Sequence, residues 1–151
     1  MQIKLSKIQE FFNQKEIAIA GVSRDEKKFG SMLFEQMLKK NYNVIPVNPN
    51  IEFYKEKKCY KTIDELPQTA TAIIICTKPN ETEKILEQAT KKGIKHIWIQ
   101  QGAQPKNIEE YTNKSETNII FGKCAFMFLE PVDSVHKFHR FIVKLFGGYP
   151  K

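Results

Sequence analysis

Five short runs of apolar residues, rich in β-branched side chains, limit what this 151-residue chain can fold into: 17–21, 43–47, 71–76, 96–100 and 118–121. Each is apolar at successive positions rather than alternating, the pattern of strands covered on both faces in a parallel sheet. Helical spacing fills the gaps between them. Residues 31–40 place Leu33, Phe34, Met37 and Leu38 on one side. Residues 81–92 do the same with Ile85, Leu86 and Ala89, and Gly93 stands where a C-cap belongs. A weaker helix is predicted over 106–112 after Pro105, and a single helical turn over 63–66 before Pro67. Strand alternating with helix predicts a doubly wound α/β fold around a five-stranded parallel sheet. Counting these five strands in chain order, right-handed crossovers predict the arrangement 3-2-1-4-5.

Two helices flank this unit. Ile3, Leu5, Ile8, Phe11 and Phe12 predict an amphipathic helix over 3–14. A C-terminal helix is predicted over about 132–147, with Val135, Phe138, Phe141, Ile142, Leu145 and Phe146 on one face and Gly147-Gly148 ending it. Its apolar face could make a homodimer contact. Neither a repeat nor a linker interrupts the chain, so residues 1–151 read as a single domain with a core over about 14–126.

Composition excludes several classes. Hydrophobic residues make up 41% and charged residues 27%, and no apolar run reaches the roughly 18 residues of a membrane span. The N-terminal residues lack the apolar core of a secretory signal, which leaves a cytoplasmic protein as the expectation. Cys59, Cys76 and Cys124 stand far apart with no Cys-x-x-Cys pair, so they read as reduced thiols rather than disulfides or zinc ligands. The net charge of +7 is spread along the chain rather than packed into a single run.

In such a sheet, ligands bind beyond the carboxyl ends of the strands, where the strand order reverses. With the order above, that point lies between the first and fourth strands. The first loop runs from Gly21, Val22 and Ser23 through Arg24, Lys27 and Lys28 to a helix start at Phe29-Gly30-Ser31. Unpaired amides and the helix dipole at such a start suit a phosphate-bearing ligand. The full dinucleotide fingerprint is missing, because Ser23 and Glu26 stand at the second and third glycine positions. NAD is disfavoured further by Asn48-Pro49, where a ribose-binding acidic residue would stand. The third-strand loop carries Thr77, Lys78, Pro79 and Asn80, with Thr77 or Asn80 placed to cap the next helix. Gln100, Gln101 and Gly102 form the fourth-strand loop. Glutamines can hydrogen-bond a polar ligand but perform no acid–base or nucleophilic work near neutral pH. No general base is evident in these loops. Cys124 could be a reactive thiol, and His136 and His139, three residues apart on the tail helix, could join it in holding a metal. Packed or surface side chains fit these three better, and no metal site is expected.

Taken in order, Gly21-Val22-Ser23, Lys28-Phe29-Gly30-Ser31, Val44-Ile45-Pro46-Val47-Asn48-Pro49, Cys59-Tyr60, Ile97-Trp98-Ile99-Gln100-Gln101-Gly102 and Gly122-Lys123-Cys124 resemble the small single-domain CoA-binding proteins. These are similar to the CoA-binding domain of the succinyl-CoA synthetase alpha subunit. The resemblance covers about residues 14–126 and implies a Rossmann-like fold that binds coenzyme A or an acyl-CoA. It implies that Gly21, Val22 and Ser23, with the helix start from Lys27 through Lys28, Phe29 and Gly30 to Ser31, hold the phosphates. It places Asn48 and Pro49 by the adenosine, and Thr77, Lys78 and Pro79 along the site. The synthetases react through a histidine in a second domain that this chain lacks, so binding without catalysis is the expectation. The alternatives are a nucleotide- or acyl-CoA-dependent enzyme using Cys124 or His136 and His139, and a nucleic-acid partner. The latter is disfavoured because strands buried on both faces leave no open aromatic platform.

Overall fold

The amphipathic start of the chain forms helix α1 (Leu5–Phe12), which buries Ile8 and Phe11. The computed structural model describes residues 3–114, 116–130, 137, 140, 141, 143, 144 and 148–150. After α1 come strand β1 (Ile17–Ala20), helix α2 (Phe29–Lys39) and strand β2 (Val44–Val47). A small hairpin follows, β3 (Phe53–Tyr54) and β4 (Lys57–Lys58). Then come β5 (Ala72–Ile75), α3 (Pro79–Lys92), β6 (His96–Gln100), α4 (Ile108–Lys114) and β7 (Asn118–Lys123). A short 3-10 turn, Ala125–Met127, closes this part of the chain.

The five expected strands form one sheet in the order β2-β1-β5-β6-β7, with every neighbouring pair parallel. The α/β class is as expected, but the strand order is not. Among the five, the order is 2-1-3-4-5 rather than 3-2-1-4-5. The cause lies in residues 48–71. No helix there returns over the face that carries α2. Instead the segment after the hairpin occupies the outer edge of β2: Val47 bridges Tyr60, the Tyr60 N–H donates to the Pro46 carbonyl (3.0 Å), and the Asn48 N–H donates to the Tyr60 carbonyl (3.0 Å). With that edge filled, the chain crosses the opposite face and β5 pairs with the free side of β1. The helical turn expected over 63–66 is a turn closed by the Leu66 N–H on the Ile63 carbonyl (3.2 Å).

Side-chain alternation along each strand feeds two cores. Ile17, Ile19, Ile74 and Trp98 face α1, α2 and residues 124–129. Ala18, Ala20, Ile73, Ile75, Ile97 and Ile99 face α3, α4 and the crossing segment of Ile63, Leu66 and Ala70. Trp98 is fully buried against Phe11, Phe12 and Phe128, and its indole N–H donates to the Lys123 carbonyl (3.3 Å). Gly93 caps α3 in the left-handed conformation (φ +84°), as expected. Of the helix expected over 132–147, Lys137, Arg140, Phe141, Val143 and Lys144 are helical. The rest of that prediction, His136 and His139 included, lies outside the described residues. Among the described residues, no helix is long and apolar enough to cross a membrane.

Candidate ligand-binding site

The observed strand order moves the reversal point. Helices α2 and α3 leave the neighbouring strands β1 and β5 towards opposite faces, so the crevice opens between the first and third of the five strands. The expectation of a crevice between the first and fourth is corrected accordingly.

The loop after β1 is held by close packing and a reciprocal hydrogen bond. Gly21 has φ +103°, and a β-carbon on it would lie 3.0 Å from the Cys76 backbone carbon. Gly30, in the first turn of α2, faces the Gly21 carbonyl so closely that a β-carbon would stand 2.3 Å from the oxygen. Gly30 therefore does more than make a turn: it lets α2 dock end-on against β1. The Ser31 hydroxyl, 1% exposed, accepts from the Ser23 N–H (2.9 Å) and donates to the Ser23 carbonyl (2.9 Å). The Ser23 hydroxyl accepts from the Asp25 N–H (3.1 Å). Asn48 ties the β2 loop to the same structure. Its amide donates to the Val22 carbonyl (2.6 Å), and its Oδ1 accepts from the Asn50 N–H (2.8 Å).

The two acidic residues of this loop are engaged elsewhere. Asp25 Oδ1 accepts from the Lys27 N–H (3.0 Å), a side-chain-closed turn. Glu26 is paired with Lys55 of the hairpin turn (2.6 Å), and Lys55 also reaches Glu35 on α2 (3.0 Å). That turn places Lys55 and Glu56 at φ +48° and +63°, the two positive values a type I′ turn requires.

Helix α2 begins at N-cap Lys28 with no side-chain cap, and its first helical hydrogen bond runs from the Met32 N–H to the Lys28 carbonyl (3.0 Å). Its leading amides, with the dipole behind them, suit an anion. Helix α3 also lacks a side-chain cap, so neither Thr77 nor Asn80 plays the expected role; its N-cap is Lys78. The Thr77 hydroxyl pairs instead with that of Thr82 (2.9 Å).

Between the two helix starts lies a cavity of about 800 Å³, within the roughly 300–1,000 Å³ usual for small-molecule sites. Gly21, Val22, Ser23, Lys28, Phe29 and Gly30 form one wall. Asn48, Pro49, Thr77 and Lys78 lie along the sheet edge. Lys27, Pro79 and Gln101, also expected at the site, do not line the cavity. The change in strand order puts the β6 loop one strand from the crevice. There the buried Gln100 Oε1 accepts from the Ala125 N–H (3.1 Å), while Gln101 is exposed.

The far wall is what sequence reading missed. Lys61, Thr62 and Ile63 line it from the crossing segment, and Glu81, Lys84, Ile85 and Gln88 from α3. The signal was present: 81, 84, 85 and 88 follow helical spacing on one face. Cys76 lines the cavity floor, and burial, with a smaller contribution from Cys124, pushes its thiol far above the ordinary range. Cys124 is buried in the core on the α2 face and does not line the cavity. Among the described residues, no group of His, Cys, Asp and Glu side chains is placed to hold a metal.

Fold and site together define a doubly wound α/β binding domain with an anion-ready helix start at its strand-order reversal. The family model described as a CoA binding domain matches residues 15–130, and the chain belongs to that family. The resemblance drawn from the ordered motifs is borne out by this match. The chain is 34% identical over 128 residues to the alpha subunit of an ADP-forming acetate–CoA ligase II from Pyrococcus furiosus, an alignment covering 76% of this chain and 28% of that one. It therefore spans little more than a quarter of that relative. Among solved structures it is similar to a conserved hypothetical protein from Pyrococcus furiosus (TM-score 0.70, 31% identity, 73% of this chain and 95% of that one). It is also similar to a hypothetical protein from Pyrococcus horikoshii (TM-score 0.75, 27% identity, 82% and 87% covered).

Proposed function

We propose that this chain binds coenzyme A or an acyl-CoA in the cavity between β1 and β5, and acts as a binding domain without catalysis of its own. The observation that carries this reading is the uncapped start of α2, packed on Gly21 and opening into a lysine-rimmed cavity in a chain of the CoA-binding family. Coenzyme A carries a pyrophosphate and a ribose phosphate. In this reading the amides of Phe29 and Gly30, with Lys28 and Lys78, hold the pyrophosphate. Gly21, Val22 and Ser23 let the ligand lie close to the backbone, and Asn48 and Pro49 flank the adenosine.

The lining chemistry supports binding rather than turnover. Its one thiol, Cys76, is held protonated by burial, so it is a poor nucleophile near neutral pH. Among the described residues, the lining has no histidine. Calorimetry with CoA, acetyl-CoA, NAD and ATP tests the reading. Saturable heat with a CoA species, and much weaker heat with NAD, is the expected result. Saturation by NAD with no heat from either CoA species overturns it.

A further inference from the structure

A pair of threonine hydroxyls at the start of α3 sets the polarity of one part of the cavity wall. Thr77 stands just before the N-cap Lys78, and Thr82 lies one turn into the helix. These are the two positions that a hydrophobic staple occupies at other helix starts. Here the staple is a hydrogen bond, with the two Oγ1 atoms 2.9 Å apart. Thr82 is fully buried, so water cannot serve its hydroxyl. Its Oγ1 also lies 3.1 Å from the Lys78 carbonyl oxygen and 3.3 Å from that of Thr77. A carbonyl oxygen only accepts, and a hydroxyl has a single proton to donate. The Thr82 proton therefore goes to the carbonyls. The opposite arrangement would turn its lone pairs on two carbonyl oxygens in a place sealed from water. The Thr77 hydroxyl must then supply the proton between the two threonines. Thr77 is half-buried and lines the cavity. With its proton directed inward, its oxygen has only lone pairs left for a ligand.

We propose that Thr77 is a specificity-determining residue: it accepts a hydrogen bond from an N–H or O–H group of the ligand and takes no part in holding phosphate, and Thr82 is the positioning residue that fixes this polarity. The inference rests on the coenzyme A reading above and refines it. Phosphate oxygens are acceptors and meet no free proton at Thr77, so the anionic groups are left to the helix-start amides and the lysines. Coenzyme A offers donors of the required kind in two places, the amides of its pantetheine arm and the amino and hydroxyl groups of its nucleoside. Glu81, in the first turn of α3, lines the same cavity and is a second side chain that, when ionised, only accepts.

The experiment measures binding of CoA, pantetheine, adenosine 3′,5′-bisphosphate and inorganic pyrophosphate to the wild type and to Thr77 and Thr82 variants. Thr77→Val is expected to weaken CoA about threefold to tenfold, the scale of one neutral hydrogen bond, and Thr77→Ser to restore most of the loss. The loss is expected in one fragment alone: in pantetheine if the donor is an amide, in the bisphosphate if it belongs to the nucleoside. Pyrophosphate binding is expected to be the same in Thr77→Val as in the wild type. Thr82→Val releases the Thr77 proton, so it is expected to weaken CoA by a similar factor, while Thr82→Ser behaves as the wild type. The Thr77→Val/Thr82→Val double variant is then no weaker than Thr77→Val, whereas a merely structural role for Thr82 gives additive losses. Circular dichroism and urea midpoints check folding, and the Thr77 variants decide the proposal even where Thr82→Val does not fold. CoA bound equally by the wild type and Thr77→Val, pyrophosphate weakened in that variant, or additive losses in the double variant overturns the proposal while leaving the coenzyme A reading intact. Failure of the wild type to bind CoA overturns both.

Discussion

Gly30 meets the carbonyl of Gly21 at a distance that leaves no room for a side chain, since a β-carbon there would stand 2.3 Å from the oxygen. The atom in the way is backbone, so relief requires α2 to shift away from β1. Gly30→Ala is therefore expected to cost about 1–3 kcal/mol of stability, the scale of overpacking in a tight interior, and to weaken CoA binding. Gly93→Ala is the control: it has open space but φ +84°, and is expected to cost about 1 kcal/mol without touching the ligand. Urea denaturation and calorimetry of the two variants check this. A Gly30→Ala protein as stable and as competent as Gly93→Ala would contradict the packing account.

The Ser31 hydroxyl holds both the N–H and the carbonyl of Ser23 and is almost fully buried. Removing it leaves two backbone groups without their partner. Ser31→Ala is expected to cost about 1–3 kcal/mol and to loosen the loop that faces the ligand. The Ser23 side chain makes one contact, in an exposed turn, so Ser23→Ala is expected to cost less. Amide hydrogen exchange at residues 22–31 is expected to accelerate much more in Ser31→Ala than in Ser23→Ala.

The Lys55 ammonium sits between Glu26 and Glu35. Its hydrogen bond to Glu35, reinforced by its charge, lowers that carboxyl below the ordinary 4.5. Lys55→Met is expected to return the Glu35 titration, followed by carboxyl NMR, towards the ordinary value. It also frees Glu26 beside the ligand loop, so CoA binding is expected to weaken slightly at low salt and to recover as salt screens the added charge. An unchanged Glu35 titration would show that the pair does not persist in solution.

His96 lies buried at the start of β6, its Nδ1 3.4 Å from the Asn118 amide nitrogen and its Nε2 3.9 Å from Glu10 of α1. Burial lowers its pKa below the ordinary 6.5, partly offset by the Glu10 charge. A histidine with a depressed folded pKa takes up its proton more readily in the unfolded chain. Its contribution to stability is therefore complete above pH 6.5 and is lost as pH falls from 6.5 towards the folded value. Urea midpoints measured from about pH 7.5 down to about pH 5.5 are expected to drop more steeply for the wild type than for His96→Gln. Parallel curves would assign the loss to other groups.

The strands were legible because each is apolar at consecutive positions, and Gly93 was legible because a helix ending in glycine has few alternatives. The strand order was not. It turns on Tyr60 bridging the edge of β2, a long-range pairing that no local periodicity announces. The hairpin at Phe53–Lys58 was hidden too, because Lys55-Glu56 adopts a turn that usually signals itself with asparagine or glycine. At the site, the near wall from Gly21 to Gly30 could be read from its glycines and lysines. The far wall needed the knowledge that α3 leaves the strand adjacent to β1, which brings Lys84 and Gln88 over the crevice.

The most direct measurement is a titration of the isotope-labelled protein with CoA, followed by amide NMR. The account predicts saturable shifts that are largest at the Gly21, Phe29, Gly30 and Ser31 amides and at Thr77 and Lys84, with Gln101 and Cys124 nearly unmoved. Shifts centred on Gln101 and Cys124, or no saturable shift at the start of α2, would contradict it.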